Sequence, residues 1–185
     1  MRLVIGISGA SGVIMGYELL KVLRATPEVE THLVITEGAK KTFSLETGIS
    51  PTQAEALADF AYDSADFAAP IASGSFLTAG MVVMPCSMKT LAGITVGYAE
   101  NLLLRAADVT LKEGRPLVLV PRETPLSKLH LRNLKEAADL GATILPPMLT
   151  FYNGADTVEK QINHLLGKTL RLLGLDMPGF KSWGE

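Results

Sequence analysis

Small and hydroxylated residues follow four apolar stretches of the sequence, and an arginine follows one of them. Gly9-Ala10-Ser11-Gly12 comes after the first stretch, Thr36 after the second, Ser87-Met88-Lys89-Thr90 after the third and Arg122-Glu123-Thr124 after the fourth. Small residues at a helix N-terminus let backbone N–H groups approach an anion, hydroxyls add donors, and arginine adds a fixed positive fork. The combination predicts a cradle for a phosphate.

The glycines of the first turn have two alternative explanations. The pattern Gly6-x-x-Gly9-x-x-Gly12 differs from the G-x-G-x-x-G of dinucleotide-binding turns, and the chain has no G-x-x-x-x-G-K-[ST] loop. Glu37 stands where an acidic residue would hold the ribose of NAD, but two lysines follow it closely, which weakens an assignment to NAD. The glycines could also serve only tight packing of strand on helix. The hydroxyl and cationic residues at the other strand ends favour the phosphate.

Other catalytic chemistries have less support in the sequence. The histidines, His32, His130 and His164, have no cysteine or carboxylate at ligand spacing, so a metal site is not expected and each histidine is interpreted as structural. The "GASG" turn lacks the G-x-S-x-G spacing of a serine hydrolase. Cys86 is either a reactive thiol at a helix N-terminus or a small packed side chain, and the second interpretation is favoured.

The elements that must position these residues alternate along the chain. Short apolar segments rich in β-branched residues predict strands buried on both faces, at 2–8, 32–36, 80–85, 116–121 and 142–146. Helical periodicity occurs at 13–25, 101–113, 127–140 and 158–173, with Ser127 and Asp156 as N-cap candidates. A short helix is expected from Pro51 through Asp59 and a loop over 64–76. The alternation predicts an α/β protein with a mainly parallel sheet in three α/β/α layers.

Composition limits the class of protein further. The 185 residues fit a single domain, 1–185, and a formal charge of −2 gives no basic surface for nucleic acid or an anionic membrane. The chain has one cysteine, and its N-terminus is too rich in glycine for a secretion signal. No apolar run approaches the roughly 20 residues of a membrane span. These features predict a cytoplasmic protein. Helices at 101–113 and 165–175 carry apolar residues on more than one face, which favours contacts between subunits.

Five segments spread over the whole chain carry a family resemblance. They are "GISGASG" at 6–12, "PCSMKTLAGI" at 85–94, the stretch 100–134, "FYN" at 151–153 and "WGE" at 183–185. With them the chain resembles the flavin prenyltransferases, the UbiX-like family that includes the small B subunits encoded beside phenolic acid decarboxylases. The resemblance implies a Rossmann-like or flavodoxin-like flavoprotein, assembled as a dodecamer, that joins a dimethylallyl group to reduced FMN without a metal.

The resemblance also assigns binding residues. It implies that FMN is held by Gly9, Ala10, Ser11, Thr36, Ser87, Met88, Lys89, Thr90 and Arg122. Tyr152 and Lys168 match the family's positions for the phosphate of dimethylallyl monophosphate, although Lys168 also fits a solvated lysine on a helix face. Some members of the family carry arginine at that position, and lysine offers the phosphate a point charge in place of a fork.

The implied reaction needs charge and proton acceptors. Phosphate leaves the dimethylallyl group by C–O cleavage, N5 of the reduced flavin captures the allylic fragment, and C6 then closes a ring at its other end, so cations and donors must surround the leaving group. The candidates are Lys168, Tyr152, Lys112 and Arg105. Ring closure at C6 releases a proton, for which Glu123 and Glu46, the latter with Ser11, are candidate shuttles. Both carboxylates could equally be ion-paired or capping groups.

An aromatic face would stabilise the allylic fragment. Phe67 stands where some relatives have tryptophan, and phenylalanine is the weaker π donor. Trp183 is a second candidate, although an aromatic residue in a tail also serves to dock the C-terminus.

Three functions therefore remain open. The first is a flavin prenyltransferase that supplies prenylated FMN to a partner UbiD-type decarboxylase. The second is a flavin-dependent decarboxylase of the cysteine-decarboxylase class, whose usual catalytic histidine between the second and third strands has no counterpart, since residues 37–79 contain none. The third is a non-catalytic flavin carrier subunit.

Overall fold

The computed structural model describes residues 1–180 and 182–184 and contains one parallel sheet. Its strands are β1 (Arg2–Ile7), β2 (Glu30–Ile35), β3 (Phe60–Tyr62), β4 (Gly80–Cys86), β5 (Leu117–Pro121) and β6 (Thr143–Ile144). The helices are α1 (Val13–Arg24), α2 (Glu37–Glu46), α3 (Pro51–Glu55), α4 (Met88–Thr95), α5 (Leu102–Lys112), α6 (Lys128–Asp139) and α7 (Val158–Leu172).

The strand order is β3-β2-β1-β4-β5-β6, and every neighbouring pair is parallel. With all six strands counted, this is the 3-2-1-4-5-6 order of Rossmann sheets. If the short edge strand β3 is left out and the other five strands are renumbered along the chain, the order becomes the 2-1-3-4-5 of flavodoxin-like sheets. The order reverses between β1 and β4, which opens a crevice beyond their carboxyl ends. The predicted three-layer α/β/α fold is confirmed.

Successive side chains of each strand enter opposite faces of the sheet. In β1, Leu3, Ile5 and Ile7 pack with α1, α2, α3 and α7, whereas Val4 packs on the other side with α4, α5 and α6. Both faces are covered by helices, so the strands are apolar at nearly every position instead of alternating with polar residues. Among the described residues, no helix combines the length and apolar character needed to cross a membrane.

Three elements were not predicted from the sequence. Helix α2 buries only Ala39 and Phe43, and α4 is short, so neither produces a long apolar period. Strand β3 has three residues, none of them buried, and therefore no apolar run marks it. The helix expected through Asp59 ends at Glu55, and the strand expected over 142–146 is shortened to β6.

The N-termini of α6 and α7 are each capped by a side chain that accepts a hydrogen bond from a backbone N–H of the first turn. Ser127 caps α6 as predicted, accepting a hydrogen bond from the His130 N–H at 3.2 Å. The prediction of Asp156 as a cap is wrong, because Thr157 accepts from the Lys160 N–H at 3.2 Å. Asp156, which precedes the cap, instead pairs with the ammonium of Lys160 in the first turn of α7 at 2.6 Å.

His32 is a structural histidine, as the sequence analysis expected. Its ring is almost fully buried in β2 and lies stacked on Phe60 at 5.0 Å. The Glu30 carboxylate only accepts hydrogen bonds, so the His32 Nε2 donates to it at 2.9 Å, and the His32 Nδ1 is hydrogen-bonded to the Tyr62 hydroxyl at 2.8 Å. The contact with Tyr62 joins β2 to the edge strand β3, whereas the bond to Glu30 stays within β2.

Asp59 makes a second connection at this edge of the sheet. Its Oδ2 accepts from the Thr31 N–H at 2.8 Å and the Thr31 hydroxyl at 3.0 Å, and its Oδ1 lies 3.2 Å from the Arg24 guanidinium. The Thr31 backbone N–H, above all, lowers the pKa of Asp59 below its usual 3.8. The charged carboxylate therefore stabilises the fold above about pH 4, and this stabilisation is lost as the pH falls through the lowered pKa.

We expect Asp59→Asn to reduce the free energy of unfolding by about 1 kcal/mol at pH 7, with a difference that shrinks as the pH falls below about 4. Urea unfolding at a series of pH values measures this. Asp139→Asn is the control, because Asp139 is an exposed carboxylate paired with Lys135 on α6, and its loss should change stability by less than about 0.5 kcal/mol. A difference for Asp59→Asn that stays constant from pH 7 to pH 3 would contradict the assignment.

Candidate functional site

A cavity of about 580 Å³ lies at the carboxyl ends of β1, β2 and β4, beside the point where the strand order reverses. Its volume lies in the range of about 300–1,000 Å³ found for cofactor and ligand sites, and its position is the usual ligand crevice of open α/β sheets. Turns and helix starts supply the lining residues, which are Gly9, Thr36, Glu37, Gly38, Ser64, Ala65, Ser87, Met88, Lys89, Thr90, Glu100, Asn101, Leu104 and Glu123.

Three helices begin at this cavity, and their cap residues line it. Thr36 caps α2, Ser87 caps α4 and Asn101 caps α5, at hydrogen-bond distances of 3.3, 3.2 and 2.9 Å. A helix N-terminus carries partial positive charge and N–H groups without partners inside the helix. The convergence of three such termini makes the cavity suited to an anion such as phosphate.

Ser8 holds two of the cavity's turns together. Its side chain is fully buried at the end of β1, where the hydroxyl donates to the Pro85 carbonyl at 2.9 Å and accepts from the Ser87 N–H at 2.8 Å. The turn after β4 is thereby fixed to the turn after β1. The sequence analysis did not select Ser8, although a serine that ends an apolar strand is a visible signal.

Gly9 makes a close backbone contact, so tight packing is one reason for a glycine at this position. A Cβ atom on Gly9 would lie 2.9 Å from the carbonyl carbon of Gly38 and 3.0 Å from its Cα, so the turns after β1 and β2 touch through their backbones. Gly12 has a φ of 96°, in the left-handed region that favours glycine. Gly9 therefore shapes the wall of the cavity through its backbone, and Gly12 shapes the turn that continues from it into α1.

Glu46 is bound to the first turn. Its Oε2 accepts from the Gly12 N–H at 2.8 Å, at the N-terminus of α1, where a carboxylate complements the helix dipole. Ser11, its predicted partner, is the residue before Gly12, so the structure brings the predicted pair close together. Ala10, Ser11 and Glu46 do not belong to the residues that line the cavity. The capping role of Glu46 is observed, and its role in proton transfer remains a prediction.

Arg122 lies in a second hollow beside the cavity. This hollow of about 400 Å³ shares Met88 and Glu123 with the cavity, and most of its other lining residues are apolar, among them Leu126, Leu134 and Met148. The Arg122 N–H donates to the Cys86 carbonyl at 3.2 Å, which fixes the turn after β5 to the end of β4. The arginine therefore lies in a hollow that adjoins the cavity, and it is not among the residues that line the cavity itself.

Tyr152 and Trp183, predicted for the prenyl donor, lie together in a separate group. Their rings meet edge to face at 4.9 Å, and the Tyr152 hydroxyl lies 3.4 Å from the Nε2 of His164 on α7. Lys168 is exposed one helical turn after His164. None of these residues lines the cavity at the strand ends.

Three further predicted residues also lie away from the cavity. Arg105 donates to the Ala72 carbonyl at 3.0 Å and pairs with Asp108, and Lys112 pairs with the adjacent Glu113. Phe67 lies half exposed in the loop after β3. Their roles toward a substrate remain predictions, which the contacts within one chain neither require nor contradict.

Cys86 is a packed side chain. It is fully buried at the end of β4, and burial raises the pKa of its thiol to about 12. The thiol is therefore protonated at neutral pH, which supports the packing interpretation over a reactive thiolate. In the part of the chain that the structure describes, no three histidine, cysteine or acidic side chains converge as metal ligands do.

Comparison with known proteins gives matches over the whole chain. The family model described as Flavoprotein matches residues 1–172. A probable UbiX-like flavin prenyltransferase of Sedimentibacter hydroxybenzoicus is 65% identical over 183 residues, which are 99% of this chain and 97% of that protein.

Two solved structures have the same fold and substantial identity. A dodecameric FMN-dependent UbiX-like decarboxylase from Escherichia coli O157:H7 has a TM-score of 0.97 at 51% identity, and the match covers 100% of both chains. AnUbiX (PadA1), solved with FMN and dimethylallyl pyrophosphate, has a TM-score of 0.96 at 47% identity, with 100% of this chain and 97% of that chain covered.

We expect Ser8→Ala to destabilise the fold by about 1–3 kcal/mol, because it leaves the Ser87 N–H without its buried acceptor. Thr169→Val is the matched control: Thr169 is also fully buried, but its hydroxyl donates to the Leu165 carbonyl within α7, so its removal leaves no N–H unpaired. Urea unfolding of both variants measures the difference. Equal stability losses in the two variants would contradict the proposal that Ser8 stabilises the fold by joining the turns after β1 and β4.

Proposed function

The chain belongs to the UbiX-like flavin prenyltransferases, and we propose that it transfers the dimethylallyl group of dimethylallyl monophosphate to N5 and C6 of reduced FMN. The main observation in support of this proposal is the sequence identity of 65% with a probable UbiX-like flavin prenyltransferase over almost the entire chain. The near-coincident fold of AnUbiX, a relative solved with FMN and dimethylallyl pyrophosphate, supports the same reaction. The product, prenylated FMN, is the cofactor of a partner UbiD-type decarboxylase.

The cavity at the strand ends fits FMN, whose phosphate needs the N–H groups and partial positive charge that α2, α4 and α5 present there. Of the residues proposed for FMN, Gly9, Thr36 and the turn Ser87–Thr90 line this cavity, and Arg122 adds a cation at its edge. Ala10 and Ser11 complete the first turn. When bound and reduced, FMN supplies the nucleophilic ring atoms that accept the prenyl group.

We propose that Tyr152 and Lys168 bind the phosphate of the donor. A phenol and an ammonium both donate hydrogen bonds to phosphate oxygens, and the ammonium neutralises charge on the leaving group. Lys112 and Arg105 are further cationic candidates. Lys168 makes no ion pair with any other described residue, which leaves its charge available to a phosphate as far as these residues are concerned.

In a dodecamer, Tyr152 and Lys168 of one chain can form a single site with the cavity of another chain. Tyr152 and Lys168 do not line the cavity of their own chain. The loop that carries Tyr152 exposes Met148, Leu149 and Phe151, the last with 83% of its surface accessible, as expected for a contact between subunits. We propose that assembly brings this loop toward the cavity of a neighbouring copy, in keeping with the dodecameric relative from Escherichia coli O157:H7.

The remaining proposed residues handle charge and protons. The aromatic faces of Trp183 and Phe67 would stabilise positive charge on the allylic fragment. Glu123 lines the cavity, and Glu46 is bound to the turn that contains Ser11, so these carboxylates are proposed to accept the proton released on ring closure. We propose that residues 1–185 act as one FMN-binding domain in the cytoplasm.

The two alternatives have less support. One relative is described as a decarboxylase, but a cysteine-decarboxylase mechanism would use a histidine between β2 and β4, and residues 37–79 contain none. His32, at the nearest strand, has both ring nitrogens occupied by Glu30 and Tyr62. A flavin carrier would use the same cavity and differ only in the absence of turnover.

We expect anaerobic incubation of the protein with reduced FMN and dimethylallyl monophosphate to yield a flavin heavier by one C5H8 unit, as measured by mass spectrometry. Parallel incubation with dimethylallyl diphosphate tests the choice of donor. A flavin of unchanged mass with both donors would contradict the transferase and favour the carrier. Release of carbon dioxide from a cysteine-terminated peptide would favour the decarboxylase.

We expect Ser87→Ala to weaken FMN binding on the order of tenfold, because the α4 N-terminus loses its cap at the wall of the cavity. Ser127→Ala is the matched control, since Ser127 caps α6 at the same distance of 3.2 Å and does not line the cavity. Each variant should lose about 1 kcal/mol of stability. Fluorescence titration with FMN separates them, and equal FMN affinities would contradict the cavity assignment.

A further inference from the structure

His164 is the buried polar neighbour of Tyr152. It is 9% exposed, and its Nε2 lies 3.4 Å from the Tyr152 hydroxyl, with the two rings edge to face at 5.7 Å. Phe180 stacks on the imidazole at 5.1 Å, with an angle of 25° between the rings. The imidazole is thus held on a helix by packing, whereas Tyr152 lies in the loop before that helix.

We propose that His164 is a positioning residue for the prenyl donor, holding the Tyr152 hydroxyl so that its proton is available to the donor's phosphate. This inference rests on the proposed function, in which Tyr152 binds that phosphate. It adds a residue that neither the sequence pattern nor the cavity at the strand ends indicates.

The single proton of the Tyr152 phenol decides the direction of its hydrogen bond with His164. A tyrosine hydroxyl has one proton to donate and lone pairs to accept with, whereas the oxygens of a phosphate dianion only accept. If Tyr152 donated to His164, it would have no proton left for the phosphate. The arrangement that serves the donor therefore has Nε2–H of His164 donating to the Tyr152 oxygen and the phenolic proton directed to the phosphate.

The surroundings of His164 favour the neutral form of its imidazole. Desolvation first, and then the charge of Lys168, lower the pKa of His164 below its ordinary 6.5. His164 and Lys168 are four residues apart, so they lie on neighbouring positions of the same face of α7. The imidazole therefore orients the hydroxyl as a neutral group, and Lys168 supplies the positive charge.

A double-mutant cycle between His164 and Tyr152 tests the proposal. His164→Leu removes the donor at similar bulk, His164→Gln offers an amide N–H in its place, and Tyr152→Phe removes the hydroxyl. Affinity for dimethylallyl monophosphate is measured by calorimetry on protein loaded with oxidised FMN, where no transfer takes place. The KM for the donor, kcat and FMN content are measured alongside.

We expect His164→Leu and Tyr152→Phe each to weaken donor binding about tenfold, with a similar rise in KM and unchanged FMN content. The double variant should be no weaker than Tyr152→Phe within about twofold, because both substitutions remove the same interaction. His164→Gln should restore binding to within about threefold of the original chain. If His164→Leu does not fold, His164→Asn, whose shorter amide falls short of Tyr152, replaces it in the cycle.

Two results would overturn the inference: unchanged donor affinity in His164→Leu, or losses that multiply in the double variant. In either case, normal prenyl transfer by the unaltered chain would still support the proposed function, and only the role of His164 would be rejected. Donor binding by the unaltered chain without transfer would instead contradict the proposed function, while the cycle would still decide the role of His164. Absence of donor binding in the unaltered chain would contradict both.

Discussion

The parallel direction of all six strands is the constraint on which the site depends. Each strand that leads into a helix delivers its chain to the same edge of the sheet, so α2 and α4 begin there, and α5 begins beside them. Every N-terminus brings N–H groups that have no partner within its helix. Positive potential therefore accumulates at this edge without a cluster of basic side chains, which makes the cavity suited to an anion although the chain has a net charge of −2.

Short contacts between turns keep these N-termini in place. Ser8 joins the turns after β1 and β4, the backbones of Gly9 and Gly38 touch, and Glu46 accepts from the Gly12 N–H. Each contact connects segments that are distant in sequence and adjacent at the edge of the sheet. The cavity is consequently built by backbone and small side chains, and its shape is set before any ligand arrives.

The sequence allowed the fold and much of the cavity to be predicted, because buried parallel strands are apolar throughout and are followed by small or hydroxylated residues. It did not indicate α2 or β3, since α2 buries only two side chains and β3 buries none. Asn101 and Ser64 were missed because neither directly follows a predicted strand: Asn101 precedes α5, and Ser64 lies just after β3, which the sequence did not indicate. The contact of Tyr152 with His164 depends on the conformation of the loop before α7. Hydrophobic periodicity in the sequence gives no information about that conformation.

Both edges of the sheet end in very short strands, with three residues in β3 and two in β6. An edge of this length offers too few unpaired backbone groups to pair with the edge of another molecule. Association of copies must therefore use helices and loops, with side chains deciding which surfaces meet. Such surfaces can define a closed particle of fixed size, whereas sheets that continue from one molecule to the next would grow into open-ended fibrils.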